Sequence, residues 1–157
     1  MAVNFKLNGT EVTLTIADET PLLYALRNDL GINSCRLGCG LAQCGVCTVL
    51  VDGEPERACV VPIKSVDNKK VTTVEGLGTS ESPHPVQQAF IDEQAMQCGY
   101  CASGIIMTTS LLLKNNKDPS ESEIRDALSG HICRCGTHTR IINAVKKAAQ
   151  LARSTEK

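Results

Sequence analysis

The chain has 157 residues, a formal net charge of −1, no Trp, two Phe and two Tyr. The balanced charge argues against a nucleic-acid-binding protein, which would carry a strongly basic face, and no apolar run is long enough to span a bilayer. Residues 1–6 lack the charged and apolar pattern of a signal peptide, so we expect a cytoplasmic protein. Export or membrane association together with a partner is the alternative.

Nine cysteines are the unusual feature of the composition. A disulfide scaffold is the usual interpretation of such a count in a secreted chain. In the cytoplasm thiols are kept reduced, so closely spaced cysteines favour metal ligation instead. The odd number also leaves one cysteine unpaired in any complete set of disulfides.

The first part of the chain predicts a small unit of strands with one helix. Residues 3–16 alternate apolar and polar side chains on both sides of Asn8-Gly9, a dipeptide that favours a tight turn between two strands. Further strands are predicted at residues 46–51, 57–61 and 70–74, with Asp52-Gly53 as the turn between the first two of these.

A short helix is predicted over residues 20–31, between these strands. Thr20 is a suitable cap, Pro21 suits the first helical position and Gly31 suits the end. Together with the strands, this helix and the cysteine-rich loop that follows it make a small α+β domain over residues 1–76.

The composition changes at residues 77–84, which predict a linker, and helical periodicity follows over residues 85–157. Four helices are predicted, at residues 86–95, 102–113, 120–130 and 141–153. A capping box that begins at Ser120 opens the third helix, and Gly130 can end it. The tail from Ser154 to Lys157 is expected to fray.

The first group of cysteines has four and then two residues between successive members, and the last member lies beyond a hairpin. This is the plant-type spacing for one [2Fe–2S] cluster. Interspersed glycines let the backbone approach the cluster and point its amides at sulfur, which tunes the reduction potential. A structural zinc site is the alternative, although paired knuckles are its usual form. The predicted ligands are Cys39, Cys44, Cys47 and Cys59.

The second group consists of two close pairs, one before the second helix of this half and one between its third and fourth helices. The pairs meet if those helix ends abut. Taken alone they also fit a zinc site or a redox dithiol. The predicted ligands of a second [2Fe–2S] cluster are Cys98, Cys101, Cys133 and Cys135.

The ordered set of motifs resembles the iron–sulfur subunit of the xanthine oxidase family of molybdenum hydroxylases. The resemblance covers nearly the whole chain and rests on the sequences GCGLAQCGVCTV at residues 38–49, QCGYC at residues 97–101 and CRCGT at residues 133–137. Many members have Cys-Thr-Gly-Tyr where this chain has Cys135-Gly136-Thr137-His138. In that respect it is similar to the branch that contains isoquinoline oxidoreductase and membrane-bound aldehyde dehydrogenases.

The resemblance implies an α+β chain in which a β-grasp ferredoxin-like domain precedes a four-helix bundle. It implies an inner cluster on Cys98, Cys101, Cys133 and Cys135, next to a molybdenum pterin that a separate large subunit holds, with molybdopterin cytosine dinucleotide as the expected form. It further implies an outer cluster on Cys39, Cys44, Cys47 and Cys59 that passes electrons to a flavin or cytochrome c subunit. Gln97 and Cys135 match positions that touch the pterin.

The chain is therefore expected to be an electron-transfer subunit of an oxidoreductase, with no catalytic residues of its own. A free-standing two-cluster ferredoxin and a zinc-stabilised interaction module are the alternatives. Cys35 is surplus to both sets and is expected to be an unligated, partly buried thiol. Enough cysteines are present without His84, His131 or His138, and His131 is expected to shape the loop before Cys133.

Overall fold

A computed structural model describes residues 2–155 and shows a mixed α+β architecture. The strands are β1 (Ala2–Leu7), β2 (Thr10–Thr15), β3 (Thr48–Val51), β4 (Glu54–Arg57) and β5 (Lys70–Thr72). They form one five-stranded sheet in the order β2-β1-β5-β3-β4. β1 pairs antiparallel with β2 and parallel with β5, while β3 pairs antiparallel with both β4 and β5.

Both predicted tight turns are confirmed. Asn8 and Gly9 have φ values of 49° and 91°, and Asp52 and Gly53 have values of 50° and 91°. A two-residue turn of this type needs positive φ at both positions, which asparagine, aspartate and glycine tolerate best. The first turn joins β1 to β2 and the second joins β3 to β4.

The helix predicted over residues 20–31 is wrong in its start and its form. A short helix α1 (Leu22–Tyr24) continues as a π-helical turn over Ala25–Asp29. Pro21 is its N-cap and no side chain caps it. Pro21 also forms an isolated β-bridge with Pro62. Pairing with a distant segment therefore outweighs the local helix-start signal.

The strand predicted over residues 57–61 is also wrong, since β4 ends at Arg57. The chain then turns inward: the Ala58 amide donates to the Cys47 carbonyl, and the Leu23 amide donates to the Ala58 carbonyl. Residues 58–59 are thereby buried beside the first cysteine loop instead of extending the sheet.

The second half of the chain contains four longer helices. They are α2 (Pro85–Asp92), α3 (Ala102–Asn115), α4 (Glu121–Leu128) and α5 (His138–Thr155). The predicted capping box is confirmed, because the Ser120 side chain accepts from the Glu123 amide and the Glu123 carboxylate accepts from the Ser120 amide. α2 packs on α3 and α5, and α4 packs on the same two helices. α5 continues through Ser154, where fraying was predicted, whereas residues 156 and 157 of that predicted tail lie outside the described residues.

Two separate cores stabilise the two halves. The first lies between the sheet and α1, with Phe5, Leu22 and Ile63 among its buried members. The second lies among α2–α5, with Ile124 and Val145 fully buried. α3 also packs on β3 and β4, so the two halves are in contact. No helix in residues 2–155 is both long and apolar enough to cross a membrane.

Candidate cluster-binding site

The outer cysteine loop, residues 38–47, folds around the sulfur of Cys39. Cys39 lies exposed at its tip, and its Sγ accepts backbone amides from Leu41 at 3.3 Å, Gln43 at 3.2 Å and Cys44 at 3.3 Å. The Cys39 amide in turn donates to the Sγ of Cys44 at 3.3 Å. These amides, led by that of Leu41, lower the pKa of Cys39 to about 7. The loop therefore favours a thiolate at Cys39, which is the form that binds metal.

Cys47 and Cys59 form a second, buried pair beneath this loop. Their side chains contact each other, and burial followed by this contact raises the pKa of Cys47 to about 11. The inward turn after β4 places Cys59 here, because Ala58 is held against the Cys47 carbonyl at 3.2 Å. The four predicted outer ligands thus lie as two pairs: Cys39, which is exposed, with the half-buried Cys44, and the buried Cys47 with the buried Cys59.

The inner cysteines also approach in pairs. The Tyr100 amide donates to the Cys98 Sγ and the Cys135 side chain contacts that of Cys98, and these two interactions, in that order, lower the pKa of Cys98. Cys101 is buried and contacts Cys133; burial and then this contact raise the pKa of Cys101 to about 12. Each pair joins one residue near the start of α3 to one in the loop before α5, as the predicted meeting of helix ends requires.

Thr137 supports the Cys133 sulfur from the start of α5. Its hydroxyl lies 3.6 Å from the Cys133 Sγ and is buried. Burial alone would raise the pKa of Cys133, but hydrogen bonds led by that of Thr137 lower it to about 7. Cys101 is the N-cap of α3, so the positive end of that helix dipole also faces the inner set and favours a bound anion.

The paired arrangement fits a two-iron cluster. A [2Fe–2S] cluster takes two protein ligands on each iron. The pairs Cys39 with Cys44 and Cys47 with Cys59 would supply the outer site, and the pairs Cys98 with Cys135 and Cys101 with Cys133 the inner one.

The two sets lie side by side. The Ile132 amide, next to Cys133, donates to the Cys44 carbonyl at 3.1 Å. A cleft of about 210 Å³ runs between the sets and is lined by both exposed and buried ligand positions. Its walls include Cys39, Cys44, Cys98, Cys101, Tyr100 and Ile132.

Arg36 and Tyr100 were not singled out in the sequence, yet they bridge the two loops. The Arg36 guanidinium donates to the Gly99 carbonyl and lies 5.3 Å from the centre of the Tyr100 ring. The Tyr100 hydroxyl donates to the Leu37 carbonyl at 2.6 Å. Because these partners are 63 residues apart, no local pattern could have identified the contact.

The remaining predicted residues take different positions. Gln97 has an exposed side chain next to Cys98, while Cys135 is half-buried. Cys35 is fully buried, more than predicted, and its Sγ lies 3.6 Å from the Cys47 carbonyl oxygen. Burial, followed by the proximity of Cys47, raises the pKa of Cys35 to about 12, so it is a neutral thiol.

The three histidines have separate roles in the fold. The His84 Nδ1 accepts from the Val86 amide and caps α2, and His138 opens α5. His131 shapes the loop before Cys133, as predicted: its Nε2 lies 2.8 Å from the Thr108 hydroxyl and its ring packs against Gly45 of the outer loop.

Two protein families match the chain in succession. Residues 5–74 match the 2Fe-2S iron-sulfur cluster binding domain, and residues 73–146 match the [2Fe-2S] binding domain. Each match contains one of the two cysteine sets. Two [2Fe–2S] clusters are therefore supported for this chain.

Curated relatives match over almost the whole length. One of the subunits of nicotinate dehydrogenase from Pseudomonas putida is 50% identical over 151 residues, which is 96% of each chain. The alpha chain of isoquinoline 1-oxidoreductase from Brevundimonas diminuta is 44% identical over 96% of this chain and 99% of its own. In the solved quinoline 2-oxidoreductase of Pseudomonas putida 86, one chain is 33% identical with a TM-score of 0.93, over 100% of this chain and 98% of that one.

The same fold also occurs inside a longer chain. The aldehyde oxidoreductase of Desulfovibrio desulfuricans is 38% identical with a TM-score of 0.93, and the match covers 98% of this chain but 17% of that one. Two adjoining [2Fe–2S] domains in a chain of this length define an iron–sulfur electron-transfer protein that forms part of an oxidoreductase. The chain belongs to the iron–sulfur subunits of the xanthine oxidase family of molybdenum hydroxylases, so the predicted family is confirmed.

Proposed function

We propose that this chain relays electrons from a molybdenum pterin on a large subunit to a flavin or cytochrome c partner. The inner ligands would be Cys98, Cys101, Cys133 and Cys135, and the outer ligands Cys39, Cys44, Cys47 and Cys59. Each [2Fe–2S] cluster, when bound, takes up and releases one electron. The observation that carries the proposal is the hydrogen bond between the Ile132 amide and the Cys44 carbonyl, which directly links the two ligand loops.

The protein's own groups would stabilise added negative charge at both sites. Three backbone amides donate to the Cys39 sulfur, and the Thr137 hydroxyl contacts the Cys133 sulfur. Hydrogen bonds to cluster sulfurs are among the factors that set the reduction potential. The Arg134 side chain, which borders the cleft between the sets, adds a positive charge nearby.

The partner proposal rests on exposure beside the inner set. Gln97 and Cys135 would contact the pterin, which we propose to be molybdopterin cytosine dinucleotide held by the large subunit. The exposed Gln97 side chain is available for such a contact. The names of the relatives, which include nicotinate dehydrogenase, isoquinoline 1-oxidoreductase and aldehyde oxidoreductase, favour oxidation of an N-heterocycle or an aldehyde by the assembled enzyme.

We further propose a two-domain organisation, with a β-grasp ferredoxin-like domain over residues 1–76, a linker over 77–84 and a four-helix bundle domain over 85–157. The two separate hydrophobic cores support this division. The packing of α2 and α4 on both α3 and α5 supports a bundle.

The test is iron and acid-labile sulfide per chain, read with EPR of the dithionite-reduced protein. About four of each and two distinct signals are expected for two [2Fe–2S] clusters. Cys101→Ala should remove about half of the iron, abolish one signal and stop turnover of the assembled enzyme. Cys35→Ala is the matched control, because it also removes a buried cysteine but leaves both ligand sets intact. Full iron content and turnover in Cys101→Ala would contradict the proposed relay.

A further inference from the structure

The first turn of α3 rests directly on the backbone of the outer cysteine loop. Gly104 is buried in this turn. A Cβ at Gly104 would lie well inside contact distance of the Gly45 carbonyl oxygen, 3.0 Å from the Gly45 carbonyl carbon and 3.1 Å from the Val46 Cα. All three are backbone atoms, so no side chain could rotate away to make room.

This contact lies between the two ligand sets. Gly104 follows the inner ligand Cys101 by three residues, and Gly45 lies between the outer ligands Cys44 and Cys47. The helix that begins at the inner set therefore touches the loop that carries the outer set, backbone against backbone. A side chain at residue 104 would prevent so close an approach.

The other side of Gly45 is equally close to the inner set. A Cβ at Gly45 would lie 2.6 Å from the Gly130 carbonyl oxygen and against the His131 ring. The loop that leads to Cys133 is thus pressed onto the same glycine. We call this contact of residues 44–46 with residue 104 and residues 130–132 the loop junction.

A hydrogen bond beside the loop junction fixes α3 in the same place. The Ser103 hydroxyl donates to the Ser34 carbonyl at 2.6 Å and is buried. Glycine within a helix is less favourable than alanine, so helical propensity does not account for Gly104. The close packing at the loop junction does account for it.

We infer that Gly104 is a positioning residue, whose lack of a side chain sets the separation of the two cluster sites and thereby the rate of electron transfer between them. The inference rests on the proposed function, since it requires both clusters. A methyl group at residue 104 would push α3, and with it Cys101, away from the outer loop.

The test is Gly104→Ala in the full chain with its clusters, assembled with the large subunit. Iron and sulfide content should stay at the wild-type level, because no ligand changes. The spin–spin splitting between the two reduced clusters should decrease. Electron transfer between the two clusters should also slow, because the tunnelling rate falls as the distance between them grows. Ser110→Ala on the same helix is the control, because its hydroxyl bonds only within α3, to the Met107 carbonyl.

An unchanged splitting and rate in a fully loaded Gly104→Ala protein would overturn the inference, and so would an equal change in Ser110→Ala. If the Gly104→Ala protein does not accumulate, the same measurements on Ser103→Ala test the inference. Loss of its hydrogen bond to Ser34 should loosen the same contact and decrease the splitting, and an unchanged splitting would overturn the inference. A wild-type chain with fewer than two clusters would instead refute the proposed function.

Discussion

Thr137 offers a direct test of how this chain tunes its inner site. Thr137→Val keeps the shape of the side chain but removes the hydroxyl that lies 3.6 Å from the Cys133 sulfur. A single hydrogen bond contributes about 0.5–1 kcal/mol net. A tenfold change in equilibrium constant corresponds to about 59 mV for a one-electron couple. The loss should therefore lower the reduction potential of the inner cluster by roughly 20–40 mV, because the reduced, more negative state loses a donor.

The assay is a potentiometric titration in which EPR follows each cluster separately. The potential of the outer cluster should not change, since Thr137 contacts only the inner set. Thr109→Val is the matched control, because Thr109 is fully buried in the neighbouring α3 and its hydroxyl has no partner among residues 2–155. An inner potential that stays the same, or that shifts equally in Thr109→Val, would refute the role assigned to the hydroxyl.

Two further predictions concern stability. Burial lowers the pKa of His84 below its ordinary 6.5, and only the neutral ring can accept the Val86 amide at 3.2 Å. The stability that this cap contributes is therefore present above pH 6.5 and lost as the pH falls through the lowered pKa of the folded state. His84→Asn keeps a capping oxygen and should flatten the fall in urea midpoint between about pH 7 and pH 5.5, whereas parallel pH profiles would contradict this assignment. Ile124→Ala, at a fully buried position of the second core, should lower the free energy of unfolding by about 2–5 kcal/mol in urea titrations, and a loss below about 1 kcal/mol would show that the site is not tightly packed.

The features that the sequence predicts well are those that a few adjacent residues determine. The turns at Asn8-Gly9 and Asp52-Gly53 need only residues that tolerate positive φ, and the start of α4 needs only a serine with a glutamate three residues later. Such signals act within one turn of chain. They hold wherever no distant segment competes for the same backbone groups.

Competition from a distant segment explains why the predicted start of α1 and the predicted strand over residues 57–61 were wrong. The Leu22 amide donates to the Val61 carbonyl and the Ile63 amide to the Thr20 carbonyl, so the expected helix start is occupied by pairing with residues 61–63. The same segment cannot also extend β4 along the sheet. One long-range contact thus displaced both the start of a helix and the end of a strand.

The cluster sites show the same division between local and distant information. The spacing of Cys39, Cys44 and Cys47 lies within one loop and could be interpreted from the sequence. Which of Cys98 and Cys101 faces which of Cys133 and Cys135 depends on how α3 and α5 begin. The result is a crossed pairing, in which Cys98 contacts Cys135 and Cys101 contacts Cys133. No rule on cysteine spacing specifies this pairing.

The loop junction is the extreme case, because its central residue acts by having no side chain. Gly104 lies in the first turn of α3, where a glycine lowers the local helix propensity. In the sequence that mismatch has no evident cause. The structure supplies the cause: the backbone of the outer loop, about 60 residues earlier in the chain, packs against the same turn of α3. In this chain, the glycine that weakens the helix beside the inner ligand set therefore marks the place where the backbone that carries the outer ligands passes.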